Sequence, residues 1–558
     1  IPTAPVASAA TSVAATSFSA NWSASTGASN YKLSVSTVAT CDGSYVTACG
    51  GASCNLIATG NVTTYAVTPL SAGTTYYYCL KATNSGGDSA LSNVITQLTI
   101  PPAPVATAAT SITTTTFSAN WNASTGATGY YLDVSALSNF STFLATSCAG
   151  GLCQNVSVAG TTYSVTGLTA GTTYYYRVRA SNASGTNATP SNTITVSTVP
   201  PAPTANAATS ITATSFSANW SAATGATGYY LDVAKDSGFT IYTAPLDTAC
   251  GGATCQNKSV GAPTTFSVTT LTCGINYYYR VRATNSGGTG TSSSTINPIT
   301  IPCAPTATAA TNVSTTSLTA NWNASTGADG YILDVATDVG FTSFVASCDG
   351  SCNGFPPGNV TSYTVTGLSG NTTYYYRVKA SNSGGDSGVS NTISQLTAPA
   401  APTSPGGSNI TATSFSANWS APAGATGYYL DVANDSGFTS YTGAVATACG
   451  GASCENKDVL NVTTYSVTPL TAGTTYYFRV RARNSGGTGS NSSTITVNTL
   501  LSAPTANAAT SINESSFTAN WTTVGGATSY YVDVAKDVFR YYSAPLNTAC
   551  GGASCNNK

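Results

Sequence analysis

Phe117-Ser118-Ala119-Asn120-Trp121 decides the fold. Its apolar residues fall on alternate positions, so Phe117, Ala119 and Trp121 share one face while Ser118 and Asn120 share the other. That is the period of a half-buried β-strand, not of a helix. The phrase F/L-S/T-A-N-W recurs around Trp22, Trp220, Trp322, Trp419 and Trp521, and successive Trp are spaced by 99, 99, 102, 97 and 102 residues. Each copy follows an Ala-Pro, at Pro5, Pro104, Pro203, Pro305, Pro402 and Pro504. A period of this length is too long for a solenoid unit and suits a small domain. The 558 residues therefore divide into repeats at 1–100, 101–199, 200–300, 301–398, 399–500 and 501–558. The sixth holds only an N-terminal half, so its missing strands are expected either from a continuation of the chain or from another polypeptide.

Outward from that phrase the period stays at two. Tyr130, Leu132 and Val134 alternate with Tyr131 and Asp133; Thr162-Tyr163-Ser164-Val165 follows, then Tyr174-Tyr175-Tyr176-Arg177-Val178-Arg179-Ala180, then Thr193-Ile194-Thr195-Val196. Gly- and Asn-rich turns separate the segments, and none has helical periodicity. About seven short strands per hundred residues is the pattern of a Greek-key sandwich. Composition agrees: 42% of residues are hydrophobic and 33 are Tyr, enough to bury cores although only 6% are charged. A net charge of -1 leaves no surplus of cations for phosphates, which excludes nucleic acid as the expected partner. No apolar run is long enough to span a membrane. Ile1 opens directly into the first repeat with no secretory signal, as a mature or trimmed product would. His is absent and the sixteen Cys are even in number, which points to an oxidising compartment rather than a metal protein.

In order, a Pro, a Trp on the second strand, L-x-x-G-x-x-Y and a closing alternating strand resemble the fibronectin type III family, and the phrasing is similar to that of long microbial surface proteins built from such repeats. The resemblance implies an all-β tandem array of immunoglobulin-like (fibronectin type III) sandwiches without helices. It also implies a tyrosine corner, carried here by Leu70/Tyr76, Leu168/Tyr174, Leu271/Tyr277, Leu368/Tyr374 and Leu470/Tyr476, whose hydroxyls bond nearby backbone. Together with Trp22, Trp121, Trp220, Trp322, Trp419 and Trp521, these Tyr are the expected core markers. The third and sixth strands are neighbours in that topology. Outward-facing Asp133, Asp232, Asp334, Asp431 and Asp533 should therefore pair across strands with Arg177, Arg280, Arg377 and Arg479, while the first repeat carries Ser34 and Cys79 instead.

Six cysteine pairs recur before the T-T-Y strand: Cys49/Cys54, Cys148/Cys153, Cys250/Cys255, Cys348/Cys352, Cys449/Cys454 and Cys550/Cys555. They read as local disulfides pinning a surface loop, each contributing ~2 kcal/mol. Within the family's topology Cys41 lies near Cys79, and Cys273 near Cys303 at one pole of the third repeat, so two further bonds are expected. Twenty N-x-S/T sequons, among them Asn61, Asn122, Asn182, Asn359 and Asn461, offer glycan acceptors to a chain short of charge. Outward Tyr131 and Tyr175 are read first as cross-strand Tyr packing on an exposed sheet face, and second as a surface for flat contacts with sugars or neighbouring chains. No catalytic group, metal site or cofactor is expected. The expected role is a structural, self-assembling component of an extracellular or cell-surface fibre, stalk or matrix. Its alternative is an adhesin, or a polysaccharide-binding or spacer region of a larger secreted protein.

Overall fold

A computed structural model describes residues 1–535. It divides into two units, residues 1–300 and residues 301 onward, each a row of similar sandwiches. In the first repeat the strands are β1 (Ala7–Thr11), β2 (Phe18–Trp22), β3 (Asn30–Ser36), β4 (Ile57–Gly60), β5 (Thr64–Val67), β6 (Thr75–Asn84), β7 (Gly87–Asp88) and β8 (Ile95–Leu98). One sheet has the order β1-β2-β5; the other is β4-β3-β6-β7, with β8 also paired to β6. All pairings between these strands are antiparallel, and the Greek-key crossing arises because β5 returns to β2 while β6 pairs with β3. Repeats 2, 4 and 5 repeat this plan. In repeat 3 isolated bridges, Asn276 to Ile299 and Tyr279 to Ile296, stand where β8 would lie. Among the described residues the one helical element is a 3-10 turn, Gly443–Ala446.

The alternation translates directly into burial. In each of the first three F-S-A-N-W strands the pattern is buried at the odd positions and half-buried between them. Tyr174, Tyr176, Val178 and Ala180 enter the core from Thr173–Asn182, and Phe117 stacks on Tyr176 with ring centroids 5.8 Å apart. Trp121 meets Tyr130 at 5.7 Å. Each of the first five repeats has its own cluster of this kind, with all members drawn from that repeat. Burying several aromatic rings per hundred residues gives each sandwich a separate hydrophobic core.

A second ring position shows how local chemistry follows backbone shape. In repeats 1 to 4 a bulge interrupts the pairing of the first and second strands. The hydroxyls of Tyr78, Tyr176, Tyr279 and Tyr376 cross the core and donate to carbonyls beside that bulge, on Ser8, Thr107, Asn206 and Thr308. Repeat 5 pairs Gly406–Ser408 with the second strand in continuous register, and there the residue is Phe478. A regular ladder satisfies its own carbonyls, so the phenol has nothing to bond.

Candidate functional site

The charged residues gather on the outer face of the sheet that holds β3 and β6. In repeat 2, Asp133 lies opposite Arg177 and Tyr131 opposite Arg179. Arg177 Nε donates to Asp133 Oδ2 at 3.2 Å, Arg179 Nη2 lies 3.7 Å from the same oxygen, and the Asn155 N–H gives 2.9 Å to Oδ1. The expected cross-strand partners meet, but the carboxylate is not an exposed one: Asp133 is 2% accessible. The chain between the third and fourth strands folds back over it. Val134 N donates to Cys153 O and Cys153 N to Leu144 O, and the Phe140 ring lies 4.2 Å from the Arg177 guanidinium carbon. This arrangement recurs as Asp232–Arg280 under Phe239, Asp334–Arg377 under Phe341 and Asp431–Arg479 under Phe438, with ring distances of 4.0 to 4.1 Å.

Sequence reasoning missed these Phe, although each follows its Asp by seven residues. All four have φ 56, in the left-handed region that a bulky side chain avoids. Packing of the ring on a guanidinium whose charge the buried Asp balances holds that conformation. Repeat 1 reaches the same end covalently. Cys41 stands seven residues after Ser34 with φ 59, and it is bonded to Cys79, which lies opposite Ser34. The Leu56 N–H then goes to Ser34 Oγ at 3.0 Å, replacing the bond to a carboxylate.

The local bonds Cys49–Cys54, Cys148–Cys153, Cys250–Cys255, Cys348–Cys352 and Cys449–Cys454 are all present. Their position differs from a surface pin. Every one of these Cys is at most 5% accessible and belongs to its repeat's core cluster, because the loop that carries them caps the open end of the sandwich. Cys273 and Cys303 are each disulfide-bonded. Cys550 and Cys555 lie outside the described residues. At the tyrosine corners the hydroxyls of Tyr76, Tyr174, Tyr277, Tyr374 and Tyr476 accept the N–H of the residue following the Leu, at 2.9 to 3.0 Å. Trp22, Trp121, Trp220, Trp322 and Trp419 lie in the cores, whereas Trp521, in the sixth repeat, is 36% accessible. Asn61, Asn122, Asn359 and Asn461 are exposed. Among the described residues no group of three or more Cys, Asp or Glu could hold a metal ion, and no helix is long and apolar enough to cross a membrane.

Burial pushes the phenols of Tyr78, Tyr176, Tyr279 and Tyr376 above the ordinary value. Asp338 is held below the ordinary carboxylate value by the N–H groups of Thr342 and Ser343. Neither kind of shift places an acid beside a base or a nucleophile, so the titrating groups serve loop and strand geometry.

Asn182, by contrast with those four sequons, is half-buried at a junction between repeats. Its Nδ2, the atom a glycan would take, donates to Thr99 O at 2.9 Å and Gly126 O at 3.2 Å. Asn285 does the same to Thr198 O at 2.9 Å, and Asn484 to Thr397 O at 3.0 Å. Each of these Asn opens the hairpin after the sixth strand and reaches the linker of the preceding repeat. The approach leaves no space for a side chain: a Cβ on Gly287 would sit 1.9 Å from Ser197 O. Three junctions within the two units are therefore held by the same hydrogen bond.

Comparison with known proteins places this geometry. The family model for the fibronectin type III domain matches residues 3–98, 102–197, 201–299, 303–395 and 400–498. Chitinase A1 of Niallia circulans is 34% identical over 144 residues, 24% of this chain and 18% of that protein. Exoglucanase B of Cellulomonas fimi is 30% identical over 304 residues, 52% of this chain and 25% of that protein. A Kelch domain-containing protein of Saccharolobus solfataricus is 30% identical over 181 residues, 31% of this chain and 21% of that protein. The chain thus spans a quarter or less of the length of these relatives.

Proposed function

The chain belongs to the fibronectin type III family, and from that premise we propose that it acts as an extracellular spacer, holding apart the parts of a larger secreted protein that engage polysaccharide or a cell surface. The junctions carry this reading. An Asn side chain bonded to the preceding linker at Thr99, Thr198 and Thr397 limits bending where tandem domains otherwise swing freely. Pro-rich linkers act in the same direction. Disulfides buried in every one of the first five cores suit an oxidising compartment. Of the two roles expected from the sequence this is the spacer and not the fibre. It is favoured because two relatives are named as a chitinase and an exoglucanase and share with this chain only a fraction of their length. All five matched spans are of one domain type, to which we assign no catalytic step.

Small-angle X-ray scattering of the chain and of an Asn182→Ala, Asn285→Ala, Asn484→Ala variant tests the spacer. The expected result is that the variant scatters as a more flexible chain than the parent, with circular dichroism unchanged. If the parent already scatters as freely jointed domains, and the variant is superimposable on it, the spacer reading fails.

A further inference from the structure

We propose that repeats 2 and 3 each carry a binding site for one sugar unit of an acidic polysaccharide, formed by Tyr131, Asn155 and Arg179 in repeat 2 and by Tyr230, Asn257 and Arg282 in repeat 3. The argument starts from what the buried Asp does not require. In repeat 4, Asp334 is satisfied by Arg377 at 2.8 Å and the Gly354 N–H at 2.8 Å, and the residue two places after Arg377 is Lys379. One Arg completes that arrangement, so Arg179 and Arg282 are additional to it.

The additional Arg comes with companions. Tyr131 is directly opposite Arg179, and Tyr230 opposite Arg282. Arg179 Nη2 donates to Asn155 Oδ1, and Arg282 Nη2 to Asn257 Oδ1 at 2.8 Å. Repeat 4 has Ile332, Lys379 and Gly354 at the same three places, and repeat 1 has Lys32, Lys81 and Leu56. Asn155 and Asn257 have φ 55 and 53, where Gly354 at φ 67 shows that glycine fits. Leu56 of repeat 1 has φ 50, so the place itself takes a left-handed residue, and Asn is one that adopts it readily. What the side chain adds is an oxygen that fixes the guanidinium fork. Among the described residues no partner is bonded to Nη1 of either Arg or to Nδ2 of either Asn, so both remain donors.

In repeat 2 these groups and Thr186 bound a shallow surface cavity of about 270 Å³. That lies just under the roughly 300 Å³ at which sites for drug-sized ligands begin, which suits one ring of a chain that continues into solvent. A half-exposed Tyr ring offers its face to sugar C–H groups. Charge selects the kind of sugar. Asp133, Arg177 and Arg179 are the only charged residues between 101 and 199, so the repeat carries a net +1 located at this cavity. With Nη2 engaged by the Asn, the free Nη1 of each guanidinium offers a charge-assisted hydrogen bond to a carboxylate, hence a uronate. Repeat 5 carries the same three residues, Tyr429, Asn456 and Arg481, with Arg481 Nη2 bonded to Asn456 Oδ1, but there the Tyr ring also faces Arg483 at 5.3 Å, which is bonded to Asp458 at 2.8 Å.

Affinity electrophoresis of the full chain through gels holding polygalacturonate or hydroxyethylcellulose tests the proposal. The parent is expected to be retarded by polygalacturonate, less so at higher salt, and not by the neutral polymer. Tyr131→Ile with Tyr230→Ile, which installs the residue repeat 4 carries, should weaken retardation about tenfold. Arg179→Lys with Arg282→Lys, again as in repeat 4, keeps the charge but removes the Nη1 donor that the Asn holds in place and should weaken it similarly. No retardation of the parent, retardation by the neutral polymer alone, or equal retardation of the parent and both variants overturns the proposal. Scattering of the same samples reports on the spacer separately, so failure of one reading is distinguishable from failure of the other.

Discussion

Replacing Asp232 by Ala isolates what the buried carboxylate contributes. Its side chain is 3% accessible and receives Arg280 Nε at 3.1 Å, Arg282 Nη2 at 3.4 Å and the Asn257 N–H at 2.6 Å. Without it the Asn257 N–H loses its acceptor, which costs about 1–3 kcal/mol if that amide stays buried. Breaking a wholly buried ion pair costs about 3–5 kcal/mol. Here the two Arg side chains are 34% and 27% accessible, and Arg280 keeps its seat over Phe239. Both cations rehydrate easily, so the ion-pair loss falls well below that range and the whole substitution should cost about 2–4 kcal/mol. Native-state hydrogen exchange read by peptide mass spectrometry localises the effect. Amides of Gly228–Ala234 that exchange through unfolding of repeat 3 should speed up about a hundredfold for 3 kcal/mol. Those of Gly129–Ser135 in repeat 2 should be unchanged, because its core is separate. Asp232→Asn keeps an oxygen for the Asn257 N–H and should show the smaller part of the loss. Exchange in Asp232→Ala within a few-fold of the parent would refute the reasoning, and equal acceleration in repeat 2 would refute the independence of the cores.

Alkali should unfold repeats 1 to 4 through their buried phenols. A folded pKa above the unfolded value gives stability that is complete below about pH 10 and is lost as pH rises through the folded value. In an ultraviolet titration these Tyr should ionise last, together with loss of structure, and Tyr279→Phe, which copies Phe478 of repeat 5, should cost about 1 kcal/mol. Asp338 has the opposite sign. Its lowered folded pKa gives stability present above the unfolded value and lost as pH falls through the folded one, so the Thr342 amide resonance should titrate with a midpoint below the ordinary aspartate range. Removing the buried bond with Cys148→Ala and Cys153→Ala should destabilise repeat 2 by more than the ~2 kcal/mol of closing so short a loop, because both sulfurs also fill the core; chemical denaturation checks the sum.

Sandwich topology was legible because period-two burial is a local property. Phe117, Ala119 and Trp121 declare their face within five residues. Burial of Asp133 was not legible, since the strand carrying it reads as alternating and the cover is a loop whose path depends on Phe140 in the left-handed region. Depth of the cysteine loops was hidden for the same reason: spacing shows that two Cys can bond, while only the returning chain shows that the bond lies inside. Asn182 shows a limit of another kind. Its sequon is real as a sequence, but the acceptor atom is engaged by Thr99 of the repeat before it.

Comparison of the repeats separates what the fold needs from what it merely tolerates. The loop between the third and fourth strands must be tied to the sixth, and the chain does this either by Phe on Arg over a buried Asp or by Cys41 bonded to Cys79. Where the tie is covalent the carboxylate disappears as well, because Ser34 can take the Leu56 N–H when there is no guanidinium to balance. Charge in this face is thus placed by structural demand, one Asp for one Arg. Arg179 and Arg282 exceed that demand, and each arrives with a Tyr and a left-handed Asn that repeats 1 and 4 do without. A Tyr, Asn and Arg set that repeats 1 and 4 dispense with, and that recurs with the same Arg–Asn bond in repeats 2, 3 and 5, accords with the contact outside the chain proposed above.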